Sequence, residues 1–361
     1  MTWRLFLAAI SLSVSAPALA GGAVYTMSDD AAANAVLAFA RSGDGALRPL
    51  GAFPTGGQGS GGGEGVLGSQ GAIALTGDGR FLLAVNAGSD EVSAFRVLAG
   101  RLFLTGRAPS GGALPVSVAE HDGLVYVLNA GGAGNISGLR LGEHGELRPL
   151  AESSQPLTGS GVGPAQIAFD DSGEILAVTE KGAQAIAVYR IDRRGLPSPP
   201  RAFPSAGVTP FGFAFTRRDV LVVSEAAGGA PGASTASSYD LDDGELDAVS
   251  PAIPTGQTAA CWLVTTRRGR DAFVANTASG SISHLRIERR GGLTLVDGAA
   301  GAIPGGQPLD IALSRGDRFL YVLDPGHGAI HGFAVAHDGG LTDLGPLATG
   351  LPPSAVGLAA R

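Results

Sequence analysis

Short apolar runs alternate with polar turns along most of this chain, and they recur in a fixed order. Gln70 to Leu75 is an apolar stretch, Gly77 to Arg80 a tight turn, and Phe81 to Asn86 a second apolar stretch. A polar connection follows; Val92 to Val97 then alternates at period two, and Leu102 to Arg107 opens a fourth segment. Runs of this length bounded by Gly, Asp and Asn are β-strands joined by hairpin turns. Past residue 20, no apolar 3.6-residue period lasts long enough to predict a helix.

The same unit returns from Pro115 to Leu141, Pro164 to Ile191, Pro210 to Leu241, Ala259 to Ile287 and Pro308 to Val335. Its period is that of a four-stranded propeller blade, about 40–50 residues. Val24 to Ser28 matches a second strand with no first strand before it, and Pro353 to Ala359 matches a first strand with nothing after it. Joined, they complete one blade from both ends and leave no exposed edge. The predicted fold is all-β: a seven-bladed β-propeller of four-stranded blades, one domain over residues 21–361, closed by N- and C-terminal strands sharing one blade.

Residues 1–20 stand apart. Arg4 precedes an uncharged apolar run from Leu5 to Ala16, and Pro17-Ala18-Leu19-Ala20 ends in the small-x-small pattern of a cleavage site. This is a signal peptide, too short for a membrane span, and it predicts a periplasmic or secreted protein. No later segment is apolar and long enough to span a membrane. The lone Cys261 excludes an intramolecular disulfide, so packing and ring closure must supply the stability. A net charge of −7 with 16% charged residues argues against nucleic acid as a partner. The 58 glycines fall at repeat-equivalent turns rather than in one low-complexity tract. The run from Gly56 to Gly65 lacks the ending and the helix of a phosphate loop, and is a connection between blades one and two.

In such a ring the start of each first strand and the end of each second strand meet on one face around the channel mouth. There the repeat places Gln70 and Asn86, then Asn129, then Gln166 with Glu180 and Lys181, then Glu225, then Trp262 with Asn276, and Asp310 with Asp324; His327 lies in the next loop. Asn and Asp at strand ends are ordinary turn formers. Glu180 and Glu225 are poorer turn residues at one repeat position, and are the candidate catalytic carboxylates. The others are candidate ligand contacts. Cys261 reads as a small buried hydrophobe with no activating histidine at a neighbouring repeat position. The histidines show no metal-ligand spacing, and neither a metal nor a cofactor is predicted.

The unit with Gly-Asp-Gly-Arg-Phe-Leu at 77–82, Val85-Asn86 and Val92-Ser93-Ala94-Phe95 resembles the lactonase-type propellers, which include 6-phosphogluconolactonases and carboxymuconate cyclases. The resemblance runs from about Ala23 to Arg361. It implies attack on, or closure of, a lactone ring, with a general acid or base and cationic groups at the channel mouth. Family enzymes typically begin the blade-four inner strand Gly-Pro-Arg-His; here it reads Gly163-Pro164-Ala165-Gln166, and the blade-three histidine is missing from Leu114-Pro115-Val116-Ser117. Two functions therefore stay open. One is a lactone hydrolase with Glu180 or Glu225 as general base. The other is a non-catalytic exported propeller, expected as a monomer, that holds a small polar molecule or a protein at the channel mouth.

Overall fold

The protein is described here by a computed structural model covering residues 21–62 and 67–361. The predicted signal peptide lies outside the described residues. Each second strand carries apolar side chains on both faces, so it must be covered on both. Phe81–Asn86, Leu124–Asn129, Ile175–Glu180, Val220–Glu225, Asp271–Asn276 and Phe319–Asp324 are indeed buried at every position. A blade achieves this by stacking face to face on its two neighbours. The fourth strands, such as Arg101–Pro109 and Leu341–Thr349, lie outermost and are largely exposed.

Seven antiparallel sheets result, each ordered from the channel outward as in the chain. The inner strands are Ile73–Leu75, Pro115–His121, Pro164–Phe169, Pro210–Phe215, Ala260–Thr265 and Asp310–Leu313 for blades two to seven. Blade three departs slightly, because Leu147–Pro149 and Gln155–Pro156 both pair with its third strand, Asn135–Leu141. Single 3-10 turns at Ala227–Gly229 and Pro325–His327 are the only helical elements among the described residues.

Blade one closes the ring as the termini predict. Val356–Ala360 is its inner strand and pairs with Gly22–Met27, aligning Val24 with Ala360 and Thr26 with Leu358. Asp310 joins this strand to blade seven by accepting the Leu358 N–H at 3.1 Å. Farther out, buried tyrosines lock blade to blade. Tyr25 donates to Gly100 O, Tyr126 to Gly195 O and Tyr321 to Gly45 O, each acceptor lying in the next blade's outer hairpin turn. Gly45, Gly100 and Gly195 have φ values of 93°, 79° and 85°, which turns their carbonyls toward the tyrosines at no Cβ cost.

Substituting Tyr321→Phe removes one such donor and leaves the Gly45 carbonyl with no replacement inside the interface. Urea denaturation should show a loss of about 1–2 kcal/mol with an unchanged m-value.

Candidate functional site

On the face where the sequence places the site, the channel is closed. Gly68, Ser69 and Gln70, from the connection between blades one and two, cross it and bond to three other blades. The Gln70 N–H donates to Ala165 O of blade four at 3.0 Å, and Ser117 Oγ of blade three donates to Gln70 O at 2.6 Å. Across the channel, the Gln70 amide binds both backbone groups of Leu263 in blade six, Nε2 to its carbonyl at 2.8 Å and Oε1 from its N–H at 3.0 Å. Trp262 Nε1 donates to Ser69 O, and Lys181 Nζ to Gly68 O. Gln166 repeats the device toward blade five, pairing with both backbone groups of Phe213 at 2.9 and 2.7 Å. β-Bulges at the starts of the inner strands of blades three to six re-aim the residues that meet this crossing segment.

Of the predicted contacts, Gln70, Gln166, Lys181 and Trp262 therefore come together, but as parts of a plug. Burial lowers the Lys181 ammonium from its usual range. Its Nζ sits 4.4 Å from the centre of the Phe211 ring. Burial also pushes the Cys261 thiol up to about 11, leaving it un-ionised at neutral pH.

The second-strand ends are placed elsewhere again. Asn86, Asn129, Glu180, Glu225, Asn276 and Asp324 are all 0% exposed. Their side chains turn away from the channel, toward the connections between blades. Asn86 binds Ser93 and Asn34; Asn129 binds Ser110 O and Ser137; Asn276 binds Ser281 and Ser283. Glu180 accepts both the N–H and the hydroxyl of Thr158, and Glu225 accepts the Gly207 N–H and the hydroxyls of Ser205 and Thr235. Burial raises both glutamates above the usual carboxylate range, against these hydrogen bonds.

Blade seven differs from the sequence expectation that its histidines are unrelated. Asp324 ends the second strand, His327 closes the 3-10 turn after it, and His331 lies in the third strand, Ala329–Val335. Their donor atoms all lie within 4.8 Å of one another. The signal was present as the Asp-x-x-His-x-x-x-His spacing, hidden because its members fall on three elements.

The channel opens on the opposite face, where the turns between first and second strands lie. A cavity of about 1090 Å³ runs from Gln70 and Gln166 to that face. Its walls are inner-strand side chains such as Leu75, Phe169, Phe215, Val264 and Leu313. Asp310 lines it too, but is 2% exposed and bonded to the Ile311 and Leu358 N–H groups. Burial pushes its carboxyl well up despite those bonds.

The rim carries both signs, unevenly shared. Blades two to four contribute Asp78, Glu120, Asp122, Glu143 and Asp171, with His121 and with Arg80 paired to Asp78. Blades five to seven contribute Arg217, Arg267 and Arg315, each immediately after the Thr or Ser that follows a first strand, together with Asp317. These three arginines are exposed, and among the described residues their side chains make no hydrogen bond or ion pair. Their equivalence was readable as Thr216-Arg217, Thr266-Arg267 and Ser314-Arg315, but the repeat map looked to the other face.

Comparison with known proteins agrees with this architecture. The family described as lactonase, seven-bladed β-propeller, matches residues 20–155. Over those residues the chain is similar to the lactonase-type propellers, and its fold is a seven-bladed β-propeller. A candidate 6-phosphogluconolactonase from Bacteroides fragilis superposes with a TM-score of 0.73 at 18% identity, covering 95% of this chain and 99% of that one. The periplasmic gluconolactonase of Pseudomonas aeruginosa does so with 0.72 at 19%, covering 91% and 97%. Identities this low establish the fold alone. No curated protein matches the sequence. Within the lactonase-type frame, Gln166 stands where family enzymes typically carry the histidine of Gly-Pro-Arg-His. The Gln166 amide carries its donor and acceptor side by side, so it can satisfy both Phe213 groups; the two nitrogens of an imidazole point apart and cannot reach both.

Substitutions in the plug and among the buried acids test these roles. Gln70→Ala leaves both Leu263 backbone groups unpaired and should cost about 2–4 kcal/mol in urea denaturation. Gly212→Ala should cost about 1–3 kcal/mol, because a Cβ there would lie 2.2 Å from Gln70 Oε1 and 2.7 Å from Cys261 O. In the wild type, Cys261 should react with a thiol reagent at pH 8 only on unfolding, and faster in both variants. For Glu225, a folded pKa above the ordinary 4.5 means that its favourable contribution is complete below that value and is lost as pH rises through the folded value. Stability curves of Glu225→Gln and wild type should therefore separate above pH 4.5, with the variant gaining on the wild type.

Proposed function

We propose that this propeller is an exported binding protein that takes a small anionic ligand with an apolar body into its channel from the turn face. The carrying observation is the pairing of a closed loop face with an open cavity rimmed by three unpaired, repeat-equivalent arginines. Unpaired guanidiniums at the mouth of a pocket with apolar inner-strand walls such as Leu75, Phe169 and Val264 suit a carboxylate or phosphate held at the rim with its body inside. Export rests on the signal-peptide pattern of residues 1–20, and the periplasmic gluconolactonase among the structural neighbours is in keeping with it.

The lactone-hydrolase alternative draws on the neighbours' names and on the raised pKa values of Glu180 and Glu225, a property that suits a general base. Both carboxylates are 0% exposed and engaged with backbone and hydroxyl groups, which leaves no room for substrate beside them. Binding is the better supported reading.

Calorimetry and thermal shift with a panel of aryl and alkyl carboxylates and sugar phosphates test it. A saturable, salt-sensitive stabilisation is expected, weakened about tenfold or more in Arg267→Gln and further in the triple variant with Arg217→Gln and Arg315→Gln. Binding indifferent to all three arginines would overturn the reading. So would lactone turnover that disappears in Glu180→Gln or Glu225→Gln.

A further inference from the structure

On the plugged face, far from the open cavity, the cluster at the end of blade seven's second strand has the composition and spacing of a metal centre. We propose that Asp324, His327 and His331 bind one divalent transition-metal cation, of the zinc type, with an open position toward solvent.

The carboxylate is oriented for it. Asp324 Oδ1 is occupied by the backbone, accepting the Gln307 N–H at 3.0 Å and the His327 N–H at 3.3 Å. That fixes Oδ2 toward the two imidazoles. His327 Nδ1 lies 2.8 Å from Oδ2, and His331 Nε2 lies 3.5 Å from the same atom. Donors sharing one ion at about 2.1 Å are separated by about 3.0 Å in octahedral and about 3.4 Å in tetrahedral geometry. The two spacings bracket that range, and all three donor atoms lie within 4.8 Å of one another.

The cluster is also under-satisfied as it stands. One proton, on His327 Nδ1, accounts for one contact to Oδ2. His331 Nε2 is buried and makes no hydrogen bond. A neutral ring would thus aim either a long, poor N–H contact or a lone pair at an anionic oxygen, and an unpaired buried polar atom is costly. A cation between the three donors satisfies all of them at once. Space beside Oδ2 is kept by Gly306, where a Cβ would lie 2.5 Å from that oxygen.

Ligand type sets the metal class. Two imidazoles and one carboxylate suit borderline cations such as Zn²⁺ or Co²⁺ over Ca²⁺ or Mg²⁺, which favour all-oxygen sites. His331 is largely buried, whereas the His327 side chain is 45% exposed. Three protein donors with one open edge is the arrangement that leaves a coordination position for water or an exchangeable ligand.

The test uses the untagged mature chain, stripped with a chelator and dialysed against Zn²⁺ or Co²⁺, with His327→Asn and His331→Gln as variants. Wild type should bind one Zn²⁺ per chain, rise in melting temperature, and give visible d–d absorption with Co²⁺. His327→Asn changes a half-exposed turn residue, so it should fold normally without metal, yet lose at least tenfold in zinc affinity and lose the Co²⁺ band. His331→Gln should do the same; if it fails to fold, His327→Asn decides alone. Absence of stoichiometric Zn²⁺ binding in the wild type overturns the proposal. So does binding that His327→Asn leaves unchanged, which would put the metal at other histidines.

Discussion

The amide of Gln70, bonded to both backbone groups of Leu263 on the far side of the channel, is the interaction around which this molecule's central axis is organised. Each inner strand of a propeller turns an unpaired backbone edge toward the channel, and that edge needs partners or water. Here the partners come from within the chain. The segment from Gly68 to Gln70 supplies backbone groups to blades three and four, while the Gln70 and Gln166 amides serve as short strand substitutes for blades six and five. Only a side chain with one donor and one acceptor can replace a strand residue in this way. The departure from the family's Arg-His pair is thus not a bare loss. It exchanges charged side chains, which would need water or an anionic ligand, for neutral amides that pair with backbone across the channel.

A second constraint works at larger radius on the same face. Connections between blades run from an outer strand back to the channel, and each must be held where it turns inward. The buried Asn, Glu and Asp at the second-strand ends do this, each bonding the connection or hairpin beside it. Glu180 and Glu225 are longer than the asparagines, and their extra reach brings them to Thr158 and Gly207. Burial raises their pKa values as a consequence of this packing, so a perturbed carboxylate here reports an anchoring role as readily as a chemical one.

The architecture was legible in the sequence because a propeller is written in repeats. The apolar second strands, the alternation of the third strands, the Gly-containing turns and the two half-blades at the termini all specify one ring, and they agree with one another. The orientation of the candidate site side chains was less legible. Strand-end position locates a residue on a face but says nothing of which way its side chain turns. Asn86 and Gln70 look equivalent as polar residues at the mouth, yet one points into a connection and the other across the channel. Nor does periodicity show that Gly68 to Gln70 leaves the surface and enters the axis, since the glycine-rich composition there reads simply as a loop. Arg217, Arg267 and Arg315 were visible as a repeat-equivalent set; they were missed because turn residues between first and second strands were read as hairpin chemistry alone.

Closing one end of the channel changes what the other end can do. In an open channel, water reaches the walls from both sides and a ligand must compete with a continuous solvent column. With the plug in place the space behind the rim is a blind pocket that combines apolar inner-strand walls with polar groups, in which a charge at the mouth is felt more strongly than in bulk. The three arginines of blades five to seven face a mostly acidic arc on blades two to four, with Arg80 and Asp317 offsetting part of each, so the field across the mouth has a direction. Such a field favours a ligand that enters with its negative group on the arginine side. The blade-seven cluster lies on the plugged face, shares no residue with this pocket, and is separated from it by the inner strand and the plug. Occupancy of either would therefore leave the donors of the other in place.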